Sequence, residues 1–248
     1  MQRYFLQTDS NERVRVKGDD FHHMIRVMRM KEGDSFLSVF QDNKSAICKI
    51  EEISNDSLTA SVVEWELNST EMPVRITIVS GLPKGDKLES IIQKGTELGA
   101  TEFIPFKATR SIVKWDDKKA HKKIERFEKI AKEAAEQSHR RTIPFISEPK
   151  TLKQILQTVP SNAVKLVAFE EEAKQGESSQ FKEELQKVQN GDHIMMIFGP
   201  EGGLTEEEVH ELKNHDFISC GLGPRILRTE TAPLYALAAI SYELELKR

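Results

Sequence analysis

Apolar positions recur along this chain with two different periods, and the change from one to the other divides it. Up to about Leu67 the spacing is that of short strands: Ser61, Val63, Trp65 and Leu67 alternate with Val62, Glu64 and Glu66, and Asp42-Asn43 and Asn55-Asp56 supply turns between apolar runs. One helix interrupts the strands, because Phe21, Met24, Ile25 and Met28 share a helical face behind a cap at Asp19 or Asp20. Together these predict a small β-barrel or sandwich. The polar segment Asn68 to Pro73 then marks a boundary between a domain over 1–70 and a second over 74–248.

From Val74 onward strands and helices alternate, the pattern of a mainly parallel α/β sheet with crossover helices. Val74 to Val79 reads as a strand, and the following helix places Leu88, Ile91, Ile92 and Leu98 on one face before Gly99 ends it. Further strands are expected at Glu102 to Phe106, Val164 to Phe169, Ile194 to Phe198 and Phe217 to Gly221. A long helix over about Asp117 to His139 turns Ile124, Phe127, Ala131 and Ala134 inward, and a capping box, Thr205 to Glu208, opens another. The last helix, about Ala232 to Leu246, is apolar over much of its surface and needs cover from the core or a second subunit.

Composition narrows the class. Of the 248 residues 38% are hydrophobic and 31% charged, enough apolar mass for a substantial core and no long disordered tract. Runs such as Ile194 to Phe198 and Leu234 to Ile240 are far shorter than the roughly 20 residues that cross a bilayer, and the N-terminus lacks a basic-then-apolar signal. A cytoplasmic location is the expectation. Cys48 and Cys220 are the only cysteines and make neither a disulfide framework nor a thiolate site, and His22-His23 lacks the partners of a zinc site, so no metal is expected. The net charge of −4 argues against a nucleic-acid partner only as an average, and the distribution of charge decides the matter. Acid gathers at Glu170 to Glu172, Glu183, Glu184 and Glu206 to Glu208; base gathers in the first 31 residues and between Lys118 and Arg141.

The chemistry is concentrated near the C-terminus. Ile197-Phe198-Gly199-Pro200-Glu201-Gly202-Gly203-Leu204 is a strand ending in three glycines that open a helix. Glycines at the carboxyl edge of an α/β sheet let backbone amides approach a ligand closely. No Gly-Lys-Ser/Thr ending marks a phosphate loop and no G-x-G-x-x-G marks a dinucleotide site, so this loop alone reads equally as an ordinary βα turn. A second loop, Gly221 to Pro233, follows the next strand; in a parallel sheet both lie on one edge and can form one pocket. In it Gly223-Pro224 stiffens the turn, Ile226 and Leu227 are placed to sandwich an adenine, and Arg228 and Glu230 are either reactive groups or a salt bridge capping the last helix.

Lys84 with Leu88 to Gly99, Glu133 to Arg140, Gly199 to Gly203 and Leu222 to Ala232, in that order, resemble the bacterial RsmE-type 16S ribosomal RNA uridine-N3 methyltransferases of the SPOUT superfamily. The resemblance covers nearly the whole chain and extends to Arg3-Tyr4-Phe5, His23, Val27-Met28-Arg29 and Gly33-Asp34, with Met28 and Phe198 standing where the family usually has leucine and isoleucine. It implies a trefoil-knotted C-terminal domain, a PUA-like barrel at the N-terminus, a homodimer, and S-adenosylmethionine held in the two glycine loops. The cofactor-binding residues implied are Phe169, Phe198, Gly199, Glu201, Gly202, Gly203, Leu222, Gly223, Ile226, Leu227 and Thr229.

Methylating uracil N3 requires an unpaired base, removal of the N3 proton and stabilisation of charge on the uracil oxygens. Arg228 is the expected charge stabiliser, and Glu230 the proton acceptor or the residue that orients Arg228. Lys84, Arg140 and Arg141, at loop or helix ends, are candidates for RNA phosphates, extended by Arg3, Arg15, Arg26 and Arg29. Two rivals stand beside this reading. A nicotinamide oxidoreductase would need close-approach glycines where Ser80-Gly81-Leu82-Pro83-Lys84-Gly85 has proline and lysine, and a non-enzymatic ribosome-assembly factor would have little use for glycines at 199, 202, 203, 221 and 223.

Overall fold

The computed structural model describes residues 1–169 and 180–247, so the acidic run Glu170 to Glu172 lies outside the described residues. Two compact units result, one formed by Met1–Glu71 with Ala135–Thr142 and the other by Met72–Ala134 with Ile143–Arg248.

The first unit is a five-stranded mixed sheet. Strands β1 (Arg3–Phe5), β2 (Arg13–Lys17), β3 (Ser35–Val39), β4 (Ser45–Ile53) and β5 (Ser57–Glu66) are arranged β1-β3-β4-β5-β2, with β1 parallel to β3 and the other pairs antiparallel. The expected turns are present, Asn43 taking a left-handed φ of 59° and Ser54 N–H donating to Ser57 O at 2.8 Å. Leu58, Ala60 and Val62 face the core, so Val63 and Trp65 point outward and Leu67 lies beyond the strand. Register shifts between β4 and β5 at Ile47/Cys48 and Ile50/Glu52 add irregularity that simple alternation does not anticipate.

The single expected helix is split. Helix α1 (Gly18–His22) has Lys17 at its N-cap, with Asp19 and Asp20 inside the first turn rather than capping it. A π-helical turn over His23–Val27 follows. The wider turn shifts the helical phase: Phe21, Met24 and Ile25 stay on the core, Met28 leaves it, and Met30 packs there instead.

The second unit is an all-parallel six-stranded sheet. Its strands β6 (Arg75–Gly81), β7 (Glu102–Phe106), β8 (Phe145–Ile146), β9 (Val164–Ala168), β10 (His193–Phe198) and β11 (Ile218–Cys220) run in the order β11-β9-β10-β6-β7-β8. Both faces are covered, which is why its strands read as nearly continuous apolar runs. Ile76, Ile78, Ile194 and Met196 meet one core with helices α2 (Lys87–Glu97), α3 (Asp117–Gln137), α5 (Gln180–Lys187) and α7 (Thr231–Ser241). Val79, Met195 and Ile197 meet the other with α4 (Leu152–Thr158) and α6 (Glu206–Asn214). Gly99 ends α2 at φ 94°, and Thr205 with Glu208 closes a reciprocal capping box on α6. A second box, Thr151 with Gln154, caps α4. The last helix is shorter than its apolar run, giving way to a π-turn over Tyr242–Leu246.

Candidate active site

Parallel strands put all their carboxyl ends on one edge, and four of them, β6, β10, β9 and β11, end there at Gly81, Phe198, Ala168 and Cys220. The two glycine loops do not follow neighbouring strands. β9 lies between β10 and β11, pairing Leu166 with Met196 on one side and with Ile218 on the other. The loops therefore flank the end of β9, and Phe169 stands between them, its N–H donating to Cys220 O at 3.1 Å.

The loop after β10 is built by close backbone approach. A Cβ on Gly81 would lie 2.4 Å from Pro200 N, and one on Gly199 2.9 Å from Gly203 C and Leu204 N. Only glycine permits these contacts. Gly203 takes a left-handed φ of 70° and donates its N–H to Pro200 O at 2.8 Å. From outside, Arg110 Nη1 donates to the carbonyls of Gly202 and Leu204, each at 3.1 Å. Thr109 adds two hydrogen bonds from its N–H and hydroxyl to Glu208 Oε1, at 2.8 and 2.9 Å, tying the loop after β7 to the start of α6. Beneath the loop Phe198 is buried in the core.

The second loop is joined to the first by one side chain. Lys87, in the first turn of α2, places Nζ 2.9 Å from Glu201 Oε1 and 3.3 Å from Glu230 Oε2. Glu201 also accepts the Lys84 N–H at 3.0 Å. Burial pushes the Glu201 carboxyl up, but the Lys87 hydrogen bond and the Lys84 amide outweigh it and hold it below the usual range. The hydrogen bond to Glu201, with Glu230 adding to it, raises the Lys87 ammonium above its ordinary value. Glu230 thus pairs with Lys87 rather than with Arg228, and its Oε2 is buried without an aligned hydrogen bond.

Arg228 is exposed, while its carbonyl accepts the N–H groups of Thr231 at 2.8 Å and Ala232 at 3.0 Å and so fixes its backbone to the start of α7. Gly223 turns the chain at φ 89°. Leu222 packs on the core, Leu227 and Thr229 are half-buried, and Ile226 is 75% exposed. Among the described residues no cluster of His, Cys, Asp or Glu is arranged to hold a metal ion, and no helix is long and apolar enough to cross a membrane.

The cations expected to meet RNA separate into two groups. Arg15, Arg26, Arg29 and Lys84 are exposed, Arg15 resting on Ser57 Oγ at 2.9 Å. Arg3 and Arg140 are each 2% exposed: Arg3 donates to Glu66 at 2.8 Å and Arg140 is clamped by Glu71 and Thr142. Their charge is neutralised inside the fold, which corrects the expectation of two phosphate-facing arginines. Arg141 donates through Nη2 to the carbonyls of Glu66 and Asn68, each at 2.6 Å, and is half-buried. The second basic run lines a cavity of about 430 Å³ formed by Asp116, Lys118, Lys119, Lys122, Lys123 and Arg126.

Sequence reasoning missed Lys87 and Arg110. Lys87 carried one signal, a cation in the first turn of a helix, where the macrodipole favours acids. Arg110 carried none, since its role depends on a carbonyl pair 92 and 94 residues away.

A model of an RNA methyltransferase domain matches residues 70–241, and a model of an RNA methyltransferase PUA domain matches residues 16–63. The chain is 51% identical to the ribosomal RNA small subunit methyltransferase E of Bacillus subtilis, covering 100% of this chain and 99% of that one. It is 33% identical to the enzyme of the same name from Synechocystis, over 90% of this chain and 71% of that one. Among solved structures, the ribosomal RNA small subunit methyltransferase E of Neisseria gonorrhoeae, crystallised with S-adenosyl methionine, superimposes with a TM-score of 0.84 at 28% identity, covering 97% of each chain. With a parallel sheet whose glycine loops meet at one edge and a separate mixed β-sheet unit, the chain belongs to the RNA methyltransferase family of the ribosomal RNA small subunit methyltransferase E type.

Proposed function

We propose that this protein transfers a methyl group from S-adenosylmethionine to N3 of a uridine in 16S ribosomal RNA, acting in the cytoplasm as a homodimer. The observation that carries the reading is the meeting of three glycine-bearing loops at one sheet edge, cross-linked by Lys87 through Glu201 and Glu230. The residues fit a loop built for the donor: Gly81, Gly199 and Gly202 let the backbone close against Pro200, Leu204 and Arg110 where a Cβ would clash, and Glu230 Oε2 is a buried carboxylate oxygen whose one charged neighbour in the ion pair is Lys87, at 3.3 Å. Phe169, Phe198, Gly199, Glu201, Gly202, Gly203, Leu222, Gly223, Ile226, Leu227 and Thr229 are the residues that would hold it. When bound, it supplies an electrophilic methyl group.

What remains for the protein is placement and proton transfer. Arg228, exposed at the mouth of the second loop, faces the negative charge that develops on the uracil oxygens as N3 loses its proton. Glu230 accepts that proton, and the Lys87 ammonium beside it compensates its charge before the proton arrives. Arg15, Arg26, Arg29, Lys84 and Arg141 supply contacts to phosphates, and the N-terminal domain over 1–70 carries three of them. The outward side chains of α7 and its π-turn, Tyr235, Tyr242 and Leu246, form the apolar surface that a second subunit would cover. A nicotinamide oxidoreductase is disfavoured by Pro83 and Lys84 in the loop after β6. Mass spectrometry of small-subunit RNA from cells lacking the protein tests the proposal. One missing base methylation, restored by the intact gene, is expected; an unchanged modification profile would end it.

A further inference from the structure

The turn after α1 is closed by backbone hydrogen bonds, yet it holds apolar side chains in water. Residues His23–Val27 make one π-helical turn, and Arg29 then adopts a left-handed φ of 55°, a conformation a non-glycine residue keeps only when its surroundings impose it. Met28 N–H donates to His23 O at 2.9 Å and Met30 N–H to Met24 O at 3.0 Å. The Tyr4 hydroxyl and His23 Nδ1, 3.0 Å apart, pin the start of the turn, and fully buried Met24 anchors it to the core. At the tip Val27 is 60% and Met28 47% exposed, between exposed Arg26 and Arg29, neither of which enters an ion pair among the described residues.

Side chains that are apolar, adjacent, preorganised and bracketed by two uncompensated cations match one kind of partner. Single-stranded RNA offers unstacked base faces between phosphates, and apolar wedges beside arginines are how proteins engage such steps. Against a protein surface the two arginines would each need an acidic counterpart; against RNA the flanking phosphates supply it. We propose that Arg26-Val27-Met28-Arg29 is an RNA-reading tip, in which Val27 and Met28 pack on an unpaired base while Arg26 and Arg29 hold the phosphates on either side. The inference rests on the reading of the chain as an RNA methyltransferase and adds that its first unit selects RNA with an open base.

The test uses the full chain and two probes, a hairpin RNA with 2-aminopurine in its single-stranded loop and a fully paired duplex with as many phosphates. Val27→Ser combined with Met28→Ser should bind the hairpin roughly tenfold more weakly, lose the 2-aminopurine fluorescence change and leave duplex binding and its salt slope unaltered. Val27→Leu with Met28→Leu should bind as the parent does. Arg26→Ala with Arg29→Ala should weaken both probes and make the salt slope shallower by roughly one to two. Circular dichroism and thermal melting check that each variant is folded. Unchanged hairpin binding by the serine pair, equal loss on hairpin and duplex, or a defect seen only with protein-bearing small subunits would each overturn the proposal. Methyl transfer by the unaltered protein, measured alongside, tests the enzymatic reading separately.

Discussion

Substitutions at Arg228 and Gly81 test the proposed reaction in different ways. Arg228 is exposed and enters no ion pair among the described residues, so Arg228→Ala should leave the fold and donor affinity intact while methyl transfer to ribosomal RNA falls roughly 100-fold, as loss of a charge-stabilising group does. Single-turnover rates with calorimetric donor binding check this; parental activity would remove Arg228 from the mechanism. Gly81→Ala acts through packing. Its Cβ would sit 2.4 Å from Pro200 N, which cannot move without displacing the loop, so a stability loss of about 1–3 kcal/mol and weakened donor binding are expected together. Lys87→Met should weaken donor binding with little change in melting temperature, because it separates two loops while α2 keeps its apolar face.

At the scale of elements, buried polar pairs set the response to acid. Glu71 joins Arg140, at the turn ending α3, to the end of the first unit's sheet. Burial raises the Glu71 carboxyl, but hydrogen bonds and charge from Arg140, with the Arg141 amide and Thr142, more than reverse this and leave it below the usual value. A depressed carboxylate contributes stability that is present above its unfolded value of roughly 4.3 and is lost as pH falls through the folded one. Glu71→Gln should therefore destabilise the protein at pH 7, by taking from buried Arg140 the carboxylate that clamps it, and should remove that part of the acid lability. Urea titrations at pH 7 and pH 4 check both. His193, at the start of β10, behaves differently. Its Nε2 lies 2.8 Å from Thr77 Oγ1, whose proton goes to Glu102, so Nε2 carries the hydrogen and Nδ1 stays buried and unbonded. Burial first, and Arg75 second, lower its pKa, so the unfolded chain takes up a proton near pH 6.5 that the folded one refuses. Stability should fall as pH drops below roughly 6.5, and His193→Asn should flatten that slope.

For the whole molecule, the apolar length of α7 and its π-turn has one side in the core, at Ala236, Leu237 and Ile240, and another in water, at Tyr235, Tyr242 and Leu246. Tyr242→Glu with Leu246→Glu should shift sedimentation from dimer to monomer without unfolding the chain. A monomeric parent protein would remove the proposed homodimer.

The residue pattern alone determined the class of fold and marked two glycine loops that the structure brings to one edge of the sheet. The short apolar runs Val74 to Val79 and Ile194 to Phe198, each followed by a glycine-bearing loop, read as strands of a parallel sheet, and the glycines at 199, 202 and 203 allow a close backbone approach there. Such signals are local, and local signals survive in sequence. Tertiary structure decided the rest. The insertion of β9 between β10 and β11, the bridge from Lys87 to Glu201 and Glu230, and the burial of Arg3 and Arg140 each join residues tens of positions apart. An arginine's charge looks the same in a sequence whether it meets water, a phosphate or a buried glutamate, because the energy that separates these cases lies in the partner the fold provides.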